Sequence, residues 1–129
     1  MRFMMMMKAD KNSEAGQPPD PKLMAAMGKF VEEMTRSGVL LSTGGLGPSM
    51  MGARLVATGG SLKQIDGPFA ETKELIAGYA IIQAKSKDEA IEHGRRFMKL
   101  HMDVFGPTWE GSCEIRPAFG PEDGVPARK

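Results

Sequence analysis

The stretch that decides how this chain is built is Asp66-Gly67-Pro68-Phe69-Ala70-Glu71-Thr72-Lys73-Glu74. Asp66 can accept backbone N–H bonds in the turn that it opens, Gly67 can adopt a positive φ, and Pro68 fixes its own φ. These residue types predict an ordered turn. Ionisable and hydroxyl side chains follow, with Phe69 as the large apolar anchor, so the loop is expected to present polar groups from a fixed base.

Before this loop, the spacing of apolar and turn-forming residues predicts one helix and four strands. They are a buried strand at Arg2 to Lys8, a helix at Pro21 to Ser37, a strand at Val39 to Thr43, and a hairpin with strands at Ala53 to Thr58 and Leu62 to Ile65. Two segments rich in glycine, proline and polar residues are predicted to be irregular, namely Asp10 to Asp20 and Gly44 to Pro48.

After the loop, Ile76 to Ala84 is predicted to form a strand. The capping-box pattern Ser86-Lys87-Asp88-Glu89 then predicts a helix that continues to about Met102. Apolar and polar residues alternate from Cys113 to Phe119, which predicts a final strand with one solvent-exposed face. Residues 1–119 are thus expected to form one domain, and residues 120–129 a loosely ordered C-terminal tail.

This order of elements, β-α-β-hairpin-β-α-β, predicts an α+β fold. It is the order of a split β-α-β sandwich, in which two helices cover one face of an antiparallel sheet, here with an inserted β-hairpin. The strands at Phe3 to Met7 and at Ala80 to Ile82 are apolar on both alternations. Because the second face of the sheet must then also be covered, the hypothesis that follows is a homodimer whose sheets pack face to face.

Composition limits the class of protein. The chain has 129 residues, of which 41% are hydrophobic and 26% charged, as is typical of a folded globular domain. A net charge of +1, without a basic stripe, disfavours direct binding to nucleic acid. The apolar run from Phe3 to Met7 is too short for a signal peptide or a membrane span, which predicts a cytoplasmic protein. Cys113, His93 and His101 lack the spacing of a zinc site, so no metal is expected.

The loop and the segments around it resemble a known family. The nine residues from Asp66 to Glu74 are followed by Leu75-Ile76-Ala77-Gly78-Tyr79, by the Ser-Lys-Asp-Glu-Ala start of a helix, and by a closing strand that ends Glu114-Ile115-Arg116-Pro117. This arrangement is similar to the YCII-related proteins, specifically their DGPF group, over residues 1–119. The resemblance implies a ferredoxin-like, dimeric α+β barrel.

The same resemblance implies a histidine on the first helix, paired with an aspartate in those members that have a suspected enzymatic role. Counting back from Gly38 places Met27 near that position, so the pair is absent or rebuilt in this chain. His93 is interpreted as a solvated surface residue. His101 is interpreted as a group that complements the C-terminal dipole of the second helix.

Six residues are candidates for the functional site. Asp66 is the predicted catalytic residue, acting as a general base or as a carboxylate that orients a ligand, although it can instead simply cap its turn. The predicted ligand-binding residues are Arg54, Phe69, Glu71, Lys73 and Tyr79. Glu71 and Lys73 can clamp a small polar metabolite between opposite charges, whereas Tyr79 offers a hydroxyl and Arg54 a positive charge to an anionic ligand.

Two functions of different classes follow. The first is a small-molecule-binding or regulatory protein of unknown ligand; relatives of the resembled group are associated with extracytoplasmic-function sigma factors, which implies an accessory role without DNA contact. The second is a cofactor-independent small-molecule enzyme that uses Asp66 for acid–base chemistry in a cleft between sheet faces. The missing first-helix histidine favours the first function, or an enzyme with a changed acid–base pair.

Overall fold

The computed structural model describes residues 1–69 and 74–121. Its elements are, in chain order, β1 (Arg2–Lys8), α1 (Lys11–Glu14), α2 (Pro21–Arg36), β2 (Leu40–Gly45), β3 (Ala53–Thr58), β4 (Ser61–Asp66), β5 (Ile76–Gln83), α3 (Lys87–Phe105) and β6 (Cys113–Ala118). A short 3₁₀ turn at Ser49–Met51 precedes β3. Most of the predicted C-terminal tail lies outside the described residues.

The main sheet has four strands in the order β2-β5-β1-β6, and every neighbouring pair is antiparallel. Strands β3 and β4 form a separate antiparallel hairpin. Helix α2 connects β1 to β2 across β5, and α3 connects β5 to β6 across β1, which is the split β-α-β arrangement. The prediction of an α+β, ferredoxin-like sandwich with an inserted hairpin is therefore confirmed.

The two long helices begin and end at capping residues. The Asp20 carboxylate accepts a hydrogen bond from the Lys22 backbone N–H at 2.7 Å and caps α2, while the Ser86 hydroxyl caps α3. Gly106 adopts φ +83° after the last residue of α3, a conformation that glycine reaches without strain. The helix accordingly runs to this glycine, further than the sequence pattern indicated.

The core lies between the main sheet and the helices. Alternate residues of β1 face the helices, and Phe3 and Met5 among them are 1% and 4% exposed. Phe3 pairs across the ladder with Ile82, which is also 1% exposed. Ala84 and Ala90 complete the buried cluster. Strand β1 is thus an inner strand of the sheet, and its buried apolar side chains pack the sheet against the helix layer.

The segment from Asp10 to Asp20 contains a helical turn that the loop prediction missed. Asp10 accepts a hydrogen bond from the Ser13 N–H at 2.8 Å, and the Ser13 hydroxyl accepts one from the Asp10 N–H at 2.9 Å. This reciprocal capping box forms α1 without a buried residue. Since α1 spans only four residues, it has no apolar periodicity from which to predict it.

Strand β2 extends through two glycines that were predicted to be irregular. Gly44 and Gly45 pair with Tyr79 and Gly78 of β5. A side chain at Gly44 would begin 2.9 Å from the Tyr79 hydroxyl, because the tyrosine ring lies over this glycine. The aromatic ring thus covers the backbone where the strand has no side chain of its own.

The second face of the main sheet carries apolar residues, and none of the helices in the described part of the chain packs against it. Register places Met4, Met6, Tyr79 and Ile81 on this face, opposite to the core residues. The β3–β4 hairpin exposes its own apolar side chains, including Leu62 at 69%.

Among the described residues, no helix combines the length and the apolar character needed to cross a membrane.

Candidate functional site

An open cleft of about 1570 Å³ lies at the end of the sandwich where β1 ends, α2 begins and α3 ends. The α1 segment forms one wall, and the chain that leads into β6 forms another. Its apolar surface comes from Met7, Leu23, Leu46, Phe105 and Trp109. The cleft combines this apolar surface with polar side chains, as small-molecule sites do.

Aromatic rings form a row along one wall of the cleft. The ring of His101 stacks on Trp109 with centroids 5.3 Å apart and an interplanar angle of 22°. Trp109 in turn stacks on Phe105 at 6.1 Å, and Phe97 meets His101 edge-on at 4.7 Å. Phe97, His101 and Phe105 recur at intervals of four on α3, which places them on one face of the helix.

His101 is held in one orientation. Its Nδ1 lies 2.9 Å from the Phe97 carbonyl oxygen, and because a carbonyl only accepts, Nδ1 carries the proton. The residue is 7% exposed. Its Nε2 makes no hydrogen bond to any residue in ranges 1–69 and 74–121. The sequence interpretation placed His101 at the helix dipole; the structure shows that its ring belongs to the cleft wall.

His93 has a different environment on the same helix. Its side chain is 14% exposed, and both ring nitrogens are buried without a hydrogen-bond partner among the described residues. The nearest carboxylate oxygen, on Glu89, lies 3.8 Å from Nε2. The interpretation of His93 as a solvated surface residue is therefore wrong. Since His93 does not line the cleft, His101 is the histidine that a bound molecule would meet.

Acidic groups outnumber basic ones around the cleft. Among the described residues, four carboxylates and two ammonium groups line it; they belong to Asp10, Asp20, Glu74 and Glu110, and to Lys8 and Lys11. In the described part of the chain, no three His, Cys, Asp or Glu side chains converge as they would around a metal ion. The charge of the described lining residues is thus negative.

Next to the cleft wall, a hydrogen-bonded chain holds the Asp66–Phe69 turn. Glu14 accepts two hydrogen bonds from Ser49, one from the backbone N–H and one from the hydroxyl, both at 2.5 Å. The Ser49 hydroxyl oxygen accepts a third from the Phe69 N–H at 2.9 Å. These bonds lower the pKa of Glu14 below its ordinary value because the Ser49 hydroxyl, and then its N–H, favour the charged carboxylate.

The structure brings three of the predicted site residues together at the base of the hairpin. The Arg54 guanidinium lies 4.1 Å above the centroid of the Phe69 ring. Asp66 is exposed and accepts a hydrogen bond from the Gln64 amide at 2.8 Å. Tyr79 lies apart from them, on the open face of the main sheet. None of these four lines the cleft described above.

The other two predicted residues, Glu71 and Lys73, lie outside the described residues. The assigned roles of all six residues stay predictions. Sequence reasoning did not find Glu14, Ser49 or Trp109. The interval of four between Phe97, His101 and Phe105 was an available signal for the aromatic wall, whereas no sequence pattern marked Ser49 as the centre of the hydrogen-bonded chain.

Comparison with known proteins places the chain in a family. Residues 1–99 match the YCII-related domain, and the chain belongs to this family. An uncharacterised protein from Rhizobium meliloti (strain 1021) is 31% identical over 98 residues, which cover 76% of this chain and 74% of the relative. The finer placement in the DGPF group stays a prediction.

Among solved structures, the chain is similar to 5-chloro-2-hydroxyhydroquinone dehydrochlorinase from Burkholderia phenoliruptrix AC1100, in complex with 2,5-dihydroxybenzoquinone. The TM-score is 0.45 at 15% sequence identity, with 96% of this chain and 100% of that chain covered.

Gly67→Ala should destabilise the protein strongly. A Cβ at this position would collide with the Ser49 backbone carbonyl, which cannot rotate away as a side chain can. We expect the free energy of unfolding, measured by urea denaturation, to fall by ~3 kcal/mol or more. Gly28→Ala is the matched control: no atom lies near its Cβ position within α2, so it should gain ~0.5–1 kcal/mol. Equal effects of the two substitutions would contradict the close approach at Gly67.

Glu14→Gln should destabilise the protein in a pH-dependent manner. A lowered folded-state pKa contributes stability that is present above the unfolded-state pKa and is lost as the pH falls through the folded-state value. The difference in melting temperature between Glu14→Gln and wild type should therefore be largest near neutral pH and shrink below pH 4.5, the ordinary value for this group. Circular dichroism melts across this range provide the measurement.

The control for this experiment is Glu32→Gln, because the Glu32 carboxylate pairs with the exposed Arg36 of the same helix. Its melting temperature should stay close to that of wild type at every pH. A Glu14→Gln difference that is constant with pH would show that the Ser49 hydrogen bonds do not depend on the charge of Glu14.

Proposed function

We propose that this YCII-related protein binds a small organic molecule in the cleft at the end of the sandwich. The observation that carries the proposal is the wall formed by His101, Trp109 and Phe105, in which stacked rings adjoin a histidine nitrogen without a protein partner. Aromatic surface gives a ligand contact area and the nitrogen gives it orientation, which is the usual division of labour in small-molecule sites.

As the function of this cleft, ligand binding is better supported than catalysis in which Asp66 acts as the acid–base group. Asp66 is exposed, hydrogen-bonds Gln64 and lies outside the cleft lining. Acid–base chemistry by Asp66, in a cavity closed by a second sheet, stays a prediction from the sequence. A regulatory connection with extracytoplasmic-function sigma factors and a cytoplasmic location stay predictions of the same kind.

Ligand-observed NMR with a library of small organic molecules tests the proposed site. We expect a subset of the library to bind wild type and to lose binding in Trp109→Ala, because the substitution removes the central ring of the wall. The matched control is Phe119→Ala, which truncates an exposed aromatic residue that does not line the cleft. Retention of every bound molecule by folded Trp109→Ala would place the binding site elsewhere.

We also propose that the protein is a homodimer through the open face of the main sheet. Met4, Tyr79 and Ile81 form a partly exposed apolar surface there, beside the buried Met6, and no helix of the described chain covers it. The exposed β3–β4 hairpin supports the same idea, because two-stranded ribbons are marginally stable without further packing. A second copy of the chain supplies a complementary apolar surface related by a two-fold axis.

Sedimentation velocity at micromolar concentration tests the dimer. Wild type should sediment as a dimer, and Ile81→Glu should sediment as a monomer because it introduces a charge at the centre of the proposed interface. Met102→Glu, at an exposed position on α3, is the control and should remain dimeric. A wild-type protein that sediments as a folded monomer would exclude the homodimer under these conditions.

A further inference from the structure

We propose that the cleft selects an aromatic ligand that is neutral or cationic and carries an O–H or N–H donor, which binds to Nε2 of His101. This inference rests on the proposed small-molecule function and defines the chemical class of the ligand. Three independent features of the cleft lead to it: the shape of its wall, the protonation pattern of its histidine and the sign of its charge.

The shape of the wall favours a flat ligand. His101, Trp109 and Phe105 have nearly parallel rings, with interplanar angles of 22° and 24° between successive members. Gly111 is packed so closely against Trp109 that a side chain there would collide with the indole ring. The backbone therefore supports the indole from one side, and Phe105 remains 38% exposed at the end of the row. A planar ligand beside His101 can instead meet the edges of these rings with its face, an edge-to-face arrangement that aromatic rings favour.

The hydrogen bond of His101 favours a donor on the ligand. Because the Phe97 carbonyl accepts from Nδ1, the tautomer that this bond selects leaves Nε2 as an acceptor. The ring is more than nine-tenths buried, and no described residue supplies a hydrogen bond to Nε2. Because Nε2 faces the open cleft, a ligand hydroxyl or amine can donate to it in place of water.

The charge of the cleft disfavours an anion. Asp10 and Asp20 are held at its rim by hydrogen bonds to the backbone of α1 and α2, so these two carboxylates stay in place. On the basic side, Lys8 has a carboxylate neighbour, Glu114, at 3.9 Å. Lys11 therefore faces an excess of negative charge. An anionic ligand would be repelled by this excess and a cationic one attracted, the more so at low ionic strength.

Matched probes separate these three features. Calorimetric titration at about pH 8 compares tyramine with para-hydroxyphenylacetate for charge, para-cresol with para-methylanisole for the donor, and para-cresol with para-methylcyclohexanol for the aromatic ring. We expect tyramine to bind about tenfold more tightly than para-hydroxyphenylacetate. We expect para-cresol to bind at least about fivefold more tightly than para-methylanisole and than para-methylcyclohexanol. The difference between tyramine and para-hydroxyphenylacetate should decrease as salt is added.

Two substitutions of His101 identify its role. The amide of asparagine occupies the position of Nδ1, whereas the longer glutamine places its amide at the position of Nε2. His101→Gln should therefore keep the preference for para-cresol over para-methylanisole, and His101→Asn should lose it. Because both variants lose the stacked imidazole, a difference between them reports on the hydrogen bond rather than on packing. Circular dichroism establishes that each variant is folded.

Glu110→Gln tests the charge of the cleft, since its carboxylate lines the cleft and caps no helix. It should weaken tyramine binding about twofold to fivefold and strengthen binding of para-hydroxyphenylacetate. Glu92→Gln is the matched control, because Glu92 pairs with the exposed Arg95 on α3 outside the cleft. That variant should leave both affinities unchanged.

The outcomes distinguish this inference from the proposed function. If para-hydroxyphenylacetate binds as tightly as tyramine, or para-methylanisole as tightly as para-cresol, in a manner that Trp109→Ala abolishes, the ligand class is wrong while the cleft remains a binding site. If none of the five probes binds at millimolar concentration, the ligand class is likewise wrong, and the library screen alone decides the proposed function.

Discussion

Strand β1 is the constraint on which the rest of the structure depends. It pairs along its length with β5 on one side and β6 on the other, and its Phe3 and Met5 side chains enter the core. A strand in this position has no free edge and no exposed core face, so the sheet and the helix layer assemble around it. The cleft opens where this support ends: beyond Lys8 the chain leaves the sheet and turns into α1.

The order of the fold could be predicted because its signals are local. Capping residues at Asp20 and Ser86, helical spacing in α2 and α3, and the double-sided apolar pattern of β1 each act within a few residues of sequence. The errors have local causes as well. Four-residue α1 is too short for periodicity, and the strand conformation of Gly44 depends on the ring of Tyr79, a residue on another strand.

The candidate site could not be predicted in the same way, because distance along the chain separates its parts. Glu14 and Ser49 are 35 residues apart, and Ser49 and Phe69 are 20 apart. His101 and His93 lie eight residues apart on one helix and look alike as sequence, yet one donates to a carbonyl and stacks on an indole while the other is enclosed without a hydrogen bond. Only the packing of α3 distinguishes them. The nine-residue loop, by contrast, indicated the family before any geometry was known.

The hydrogen bonds from Glu14 through Ser49 to Phe69 connect the wall of the cleft to the base of the hairpin. Glu14 ends α1, whose residues form a wall of the cleft, and Phe69 follows the hairpin whose apolar surface is exposed. While these bonds are intact, α1 cannot shift without pulling on the base of the hairpin. If a ligand in the cleft displaced α1, it would also change the affinity of the hairpin for whatever it contacts. By linkage, those hairpin contacts would change the affinity for the ligand by the same factor.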